Sequence, residues 1–335
     1  MSAYLTVIGE CLVDVVQSET SAPKAHVGGS PFNVAVGLAR LEHEVLFVGR
    51  HGEDEHGRMI SRSLRAQGIT SVLEPDSQPT SVAEATLDPT GQASYEFTLD
   101  WTLPSAEELE AACRRLAEQA HPGVQPPVEL LHTGSIGAML QPGAETVKQL
   151  IRDTREHATI SYDPNYRPSI IPDRDAAREQ AEVFIGLADV VQASTDDLDL
   201  LYPERSHEDT MRAWLEMGPA LVVITRGASG AMALAGSGAV DQPAVPIEVA
   251  DTVGAGDSFM AATLSMLRRL GLLGAARREQ LRMIPREQVE EVLAAAAQAA
   301  AITSSRVGAQ PPTAEELDAA LEAADVAVAP EQVDG

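Results

Sequence analysis

The chain has 335 residues, a formal net charge of −26, two cysteines and only two lysines, Lys24 and Lys148. That length suits one large α/β domain or two smaller ones, and the charge argues against nucleic-acid and anionic-membrane partners. Neither lysine lies in GxxxxGK followed by Ser or Thr, or in a VAIK context, which excludes a Walker A loop and a protein-kinase lysine; no run approaches the roughly 20 apolar residues of a membrane helix.

The start, MSAYLTVIGE, lacks a basic n-region and reads as a buried strand. No signal peptide is expected, and with Cys11 and Cys113 read as reduced core thiols a cytoplasmic protein follows. The strand Leu5–Gly9 ends in Gly9-Glu10 where a dinucleotide-binding fold would carry GxGxxG. Asp14, in Leu12-Val13-Asp14-Val15-Val16, is expected just past the carboxyl end of that first parallel strand, facing the ligand crevice; the alternative is an exposed strand or turn carboxylate. Ser18 to His26 is polar and turn-rich.

Gly28-Gly29-Ser30-Pro31-Phe32-Asn33 then opens a helix through Leu41. Paired glycines let a backbone come close to a ligand, and Asn33 offers a donor and an acceptor to a polyhydroxylated molecule, or else caps the helix. Glu44–Arg50 reads as a strand and Gly57–Gln67 as a helix, with His51 and His56 solvated in the loop between them. Thr80–Asp88 and Gln92–Leu99 alternate apolar with polar residues around Asp88-Pro89-Thr90-Gly91, a hairpin that either covers a crevice or extends the main sheet.

Ser105–Ala120 is a helix with a capping-box start, Ser105-x-x-Glu108, closed by a Pro-rich linker over His121–Pro127. Strands at Val128–Thr133, Thr159–Asp163, Asp189–Ala193, Ala220–Thr225 and Ala231–Ala235 follow. Helices fall at Gly143–His157, Asp173–Leu187, Asp196–Tyr202, His207–Met217, Gly254–Leu270, Arg286–Ser304 and Thr313–Ala323, and the tail from Val326 is expected to fray. This alternation predicts a mostly parallel sheet with helices on both faces.

Polar residues gather at the predicted strand ends. Asp163, Asn165 and Arg167 stand where doubly wound sheets bind ligands, and Arg167 suits phosphate or sugar oxygens. Ser194-Thr195-Asp196-Asp197 either caps a helix or offers Asp197 to a hard cation through water. Thr225-Arg226-Gly227-Ala228-Ser229-Gly230 is a Gly-rich turn that could lie under a nucleotide. Asp251-Thr252-Val253-Gly254-Ala255-Gly256-Asp257 runs straight into an apolar helix. Free N–H groups and the helix dipole there favour an anion, and Asp257 in the first turn could take a proton from a group attacking it. A plain glycine turn with a favourable N-terminal carboxylate is the simpler alternative.

Together these stretches, with Val48-Gly49-x-x-Gly52-x-Asp54-x-x-Gly57 and Arg306-Val307-Gly308-Ala309, resemble the PfkB-type, or ribokinase-like, carbohydrate kinases over nearly the whole chain. Gly9-Glu10, SPFNVA and SYDPNYRP look most like fructokinase-type members. The resemblance implies a ribokinase-like α/β fold: a core of residues 1–15, 31–79 and 104–335, and a small β lid of residues 16–30 and 80–103. It implies ATP, Mg²⁺ and K⁺ as cofactors, a small sugar as substrate, and a homodimer through the lid. Asp14, Gly28, Gly29, Asn33 and Arg167 would hold the sugar. Asp257 would be the base, and the backbone of Gly254, Ala255 and Gly256 the anion hole. Ser194, Thr225, Gly227 and Gly230 would line the nucleotide site, with Asp197 reaching Mg²⁺ through water. Asp251, Val253, Thr303, Arg306 and Gly308 would hold the monovalent cation. Two departures stand out: the family's NxxE appears as Ser194-x-x-Asp197, and Pro312 replaces a serine near the cation. Fructose or a related hexose leads the substrates; 2-keto-3-deoxygluconate, ribose or a nucleoside follows. A catalytically idle sugar-binding regulator on the same fold is the alternative from another class.

Overall fold

The computed structural model describes residues 4–18, 21–87, 93–122 and 128–328. Its strands are β1 (Tyr4–Ile8), β2 (Leu12–Ser18), β3 (Ser21–Gly28), β4 (Val45–Val48), β5 (Thr70–Ser71), β6 (Val82–Leu87), β7 (Ala93–Thr98), β8 (Val128–Gly134), β9 (Thr159–Asp163), β10 (Val190–Ser194), β11 (Leu221–Thr225), β12 (Ala231–Ala235) and β13 (Gly238–Gln242). Among the described residues nine of them form one sheet, ordered β13-β12-β11-β10-β9-β8-β1-β4-β5. Pairing is parallel from β5 to β11, and β12 and β13 close one edge antiparallel.

A sheet covered on both faces needs apolar residues at successive positions, and each strand divides its residues between two cores. Leu5 and Val7 pack with Val45 and Phe47 on one side. Tyr4 and Ile8 pack with Leu46 and Val48 on the other. Helices Ser30–Arg40, Ala255–Arg269 and Arg286–Ser304 cover the first face; Ala106–Ala120, Gly143–Thr154, Arg174–Leu187 and His207–Met217 cover the second. The capping box at Ser105 forms as expected, with Glu108 answering the cap backbone. No helix among the described residues is long and apolar enough to cross a membrane.

The expected hairpin is not an edge of the main sheet. β6 and β7 join β2 and β3 in a separate four-stranded sheet, β3-β2-β6-β7. The turn residues 88–92 and most of the linker at 121–127 lie outside the described residues, as does the tail from residue 329. The second sheet begins earlier than the sequence implied, because the boundary expected after residue 15 falls inside β2. Of the polar stretch 18–26, the described residues 18 and 21–26 also prove to be strand. Lys24 and His26 face solvent while Ala25 and Val27 are half-buried, a two-residue period hidden among polar neighbours.

Candidate active site

The carboxyl ends of β1 and β8 to β11 open toward the second sheet, and a cavity of about 530 Å³ lies between them. Two helix N-termini meet there. Helix Ala255–Arg269 starts from Gly254, whose φ of 75° is the left-handed conformation glycine tolerates. A Cβ on Gly254 would also stand 2.5 Å from Ala309 Cβ, so glycine is required twice over. Asp257 follows in the first turn. Its two carboxylate oxygens accept from Ser30 Oγ at 2.6 Å and Asn33 Nδ2 at 2.8 Å, both on the first turn of helix Ser30–Arg40. Burial pushes the Asp257 pKa up, while those two hydrogen bonds and nearby Arg167 pull against the rise. A carboxylate so placed is oriented by two donors and still has lone pairs free for a proton.

The cavity floor is built from buried polar groups. Glu10, just past β1, accepts from Gly137 N at 2.8 Å, and burial raises its pKa to about 7. Asp163 ends β9; burial first, then the charges of Asp197 and Asp257, hold its pKa well above the ordinary value. Gln192 on β10 donates from Nε2 to Asp163 Oδ2 at 3.1 Å and to Gly256 O at 2.9 Å. Leu12, Asp14, Ala83 and Phe97 of the second sheet and its entry face this floor.

The pfkB family carbohydrate kinase profile matches residues 2–316. The chain belongs to that family. It is 31% identical to a fructokinase of Rhizobium leguminosarum bv. trifolii over 270 residues, covering 79% of this chain and 80% of that protein. It is 30% identical to fructokinase-1 of Oryza sativa subsp. japonica over 333 residues, 95% and 96% of the two chains. In fold it superposes on the ATP-bound fructokinase of Xylella fastidiosa with a TM-score of 0.83 at 24% identity, covering 97% of this chain and all of that one. The chain is thus an ATP-dependent carbohydrate kinase with the ribokinase-like fold.

In this kinase Asp14, Gly29, Asn33, Arg167, Ser194, Asp197, Thr225, Val253, Gly254, Gly256 and Asp257 all reach the cavity wall. Several do so differently from expectation. Asp14 comes from the middle of β2, opposite His26 on β3, and not from the end of a main-sheet strand. Gly28 is not on the wall; a Cβ there would stand 2.3 Å from Asp14 Oδ2, so its absence makes room for that carboxylate. Asn33 holds Asp257, which commits one of its two amide hydrogens to the aspartate.

Ala255 also stays off the wall, and its N–H points to Thr252 O at 3.3 Å. The amides left for an anion at this helix start are those of Gly254, Gly256 and Asp257. Gly227 and Gly230 form the turn between β11 and β12. Gly230 has a φ of 88°, and a Cβ there would lie 2.0 Å from Gln242 O, so close backbone packing demands this glycine. Ser194 caps the next helix and Asp197 closes its capping box: the Asp197 carboxylate accepts from Ser194 N at 2.9 Å, Ser194 Oγ at 2.6 Å and Tyr166 N at 2.7 Å.

Behind the loop, Asp251 accepts from Val253 N at 3.1 Å and Gly308 N at 2.8 Å, bonds that hold its pKa below the usual range. Its backbone N–H donates to Ser304 O at 3.2 Å. Thr303 is buried with its hydroxyl 2.7 Å from Ser258 Oγ, and the Arg306 guanidinium pairs with Glu316 at 2.7 Å. His51 is buried, 2% exposed, and not solvated. Both cysteines are buried and free. Sequence patterns do not mark Ser30, Ser135 or Gln192 as site residues. Ser30 lies inside the glycine loop that opens its helix, whereas nothing near Gln192 in the sequence marks it.

Proposed function

We propose that this kinase transfers the γ-phosphate of ATP to a hydroxyl of fructose or a closely related hexose, with Asp257 as the base. The observation that carries the reading is the Asp257 carboxylate held by Ser30 and Asn33 at a helix N-terminus that faces the cavity. A sugar hydroxyl placed against Asp257 loses its proton as its oxygen attacks the γ-phosphorus, and the ADP oxygen leaves. Gly256 and Asp257 N–H groups, at the positive end of the helix dipole, meet the charge that spreads over the phosphoryl oxygens. Asp14 and Arg167 serve as sugar contacts, with the second sheet acting as the lid that excludes water. Thr225 and Ser194 take the nucleotide side. The fructokinase relatives support fructose as the acceptor.

The residues present fit a magnesium ion carried with the nucleotide and reached through water. Three donors already occupy Asp197, which leaves it little capacity for direct ligation. Such an ion would neutralise phosphate charge. Asp251, tied to Val253 and Gly308, would hold a monovalent cation beneath the loop together with backbone carbonyls near Thr303 and Arg306. ADP release measured over a panel of sugars, with K⁺ present and absent, tests the assignment. The highest kcat/KM is expected for fructose; turnover restricted to nucleosides or sugar acids would overturn it.

A further inference from the structure

We infer that Gln192 is a positioning residue for the phosphoryl-transfer loop: its side-chain amide ties the Gly256 carbonyl to Asp163 and so fixes the aim of the Asp257 N–H. The inference rests on the kinase reading of this site. The Gly256 carbonyl and the Asp257 N–H are the two ends of one planar peptide, so a donor that pins the first sets the direction of the second. Hydrogen bonding to the carbonyl also polarises the N–H toward an anion. Outside its own helix and chain neighbours, nothing lies within 4 Å of where a Gly256 Cβ would be, so that side of the first turn is open. The Gly256 carbonyl is held from outside the helix by Gln192 Nε2 at 2.9 Å.

The other end of the tie is rigid. Asp163 Oδ1 accepts from Asn165 N at 3.0 Å, and Asn165 Nδ2 donates to Ser135 Oγ at 3.2 Å. Asn165 and Ser135 have φ values of 36° and 54°, unfavourable for residues with a Cβ. Such strain persists only where the surroundings over-determine it, and it gathers at functional sites. The path Ser135–Asn165–Asp163–Gln192–Gly256 thus joins the ends of β8, β9 and β10 to the catalytic helix. Gln192 itself is 2% exposed. Both contacts run through its nitrogen, while Oε1 is buried with no partner among the described residues. The side chain acts as a donor.

Two unbranched replacements separate donor from shape. Gln192→Met keeps length and removes the donor; Gln192→Lys restores a donor, charged and on a chain one atom longer. With ATP and fructose, Gln192→Met is expected to lower kcat by about 10- to 100-fold, a fraction of what losing a whole anion-hole donor costs, with the fructose KM within about threefold. Gln192→Lys recovers most of that loss. Thermal unfolding of each variant reads the structural contribution separately. Parent kcat in Gln192→Met, a loss confined to KM, or a Lys variant as slow as Met overturns the inference. A parent protein that phosphorylates no sugar instead overturns the kinase reading beneath it.

Discussion

Replacing Asp257 by Asn separates the chemistry of the site from its architecture. An asparagine can keep both contacts of the aspartate. Its oxygen accepts from Asn33 Nδ2, now 2.8 Å away, and its amide donates to Ser30 Oγ, whose hydroxyl turns to accept. Neither bond is lost, and a buried carboxylate whose pKa is raised by desolvation is relieved of its charge. Stability should change by less than about 1 kcal/mol, the net worth of one hydrogen bond. The base, however, is gone. General-base removal costs about 10²- to 10⁴-fold, or about 3–5 kcal/mol of barrier. Coupled ADP release should show that drop in kcat, with the fructose KM and the unfolding midpoint close to the parent. The parent's acid limb should also be displaced upward from that of an ordinary aspartate, because Asp257 must be ionised to act and burial raises its pKa; the residual activity of the variant should lack that limb. A variant within tenfold of parent kcat would refute Asp257 as the base.

Glu10 has a pKa raised by burial from 4.5 to about 7, so the folded state binds its proton more tightly than the unfolded chain does. Its stabilising share is full below the unfolded value and is lost as pH rises from about 4.5 through about 7, up to about 3 kcal/mol. Glu10→Gln should flatten the urea midpoint over that window, and an unchanged slope would contradict the assignment. Gly254→Ala forces a left-handed alanine against Ala309, costing at least about 1–2 kcal/mol; the urea midpoint should fall together with kcat. Asp251→Ala unties Val253 from Gly308. Exchanging K⁺ for a large organic cation should slow the parent and leave this variant, already slow, unchanged.

Much of this was legible in the sequence because the informative patterns were local. Short apolar runs marked the main-sheet strands, and Ser105-x-x-Glu108 and Ser194-x-x-Asp197 both close as capping boxes. The second sheet was legible only in part. β2 and β3 carry polar residues on an exposed face, so their strand period was masked at Lys24 and His26. Glycines were read as ligand-approach sites when some answer to packing: Gly28 clears space for Asp14, and Gly230 presses on the backbone at Gln242. What the sequence hid most fully were contacts between distant segments. Ser30 reaches Asp257 across 227 positions, and Gln192 reaches Gly256 across 64. No spacing rule links such residues; the sheet order does, by setting the ends of β8, β9 and β10 beside one helix start.

The central claim is that this cavity moves phosphate from ATP to fructose. The most direct measurement incubates the protein with Mg-ATP and fructose and quantifies ADP and sugar phosphate in the same sample. The account predicts that the two appear in equal amounts and that omitting the sugar abolishes both. ADP formed without sugar phosphate, or neither product from any hexose tried, would contradict it.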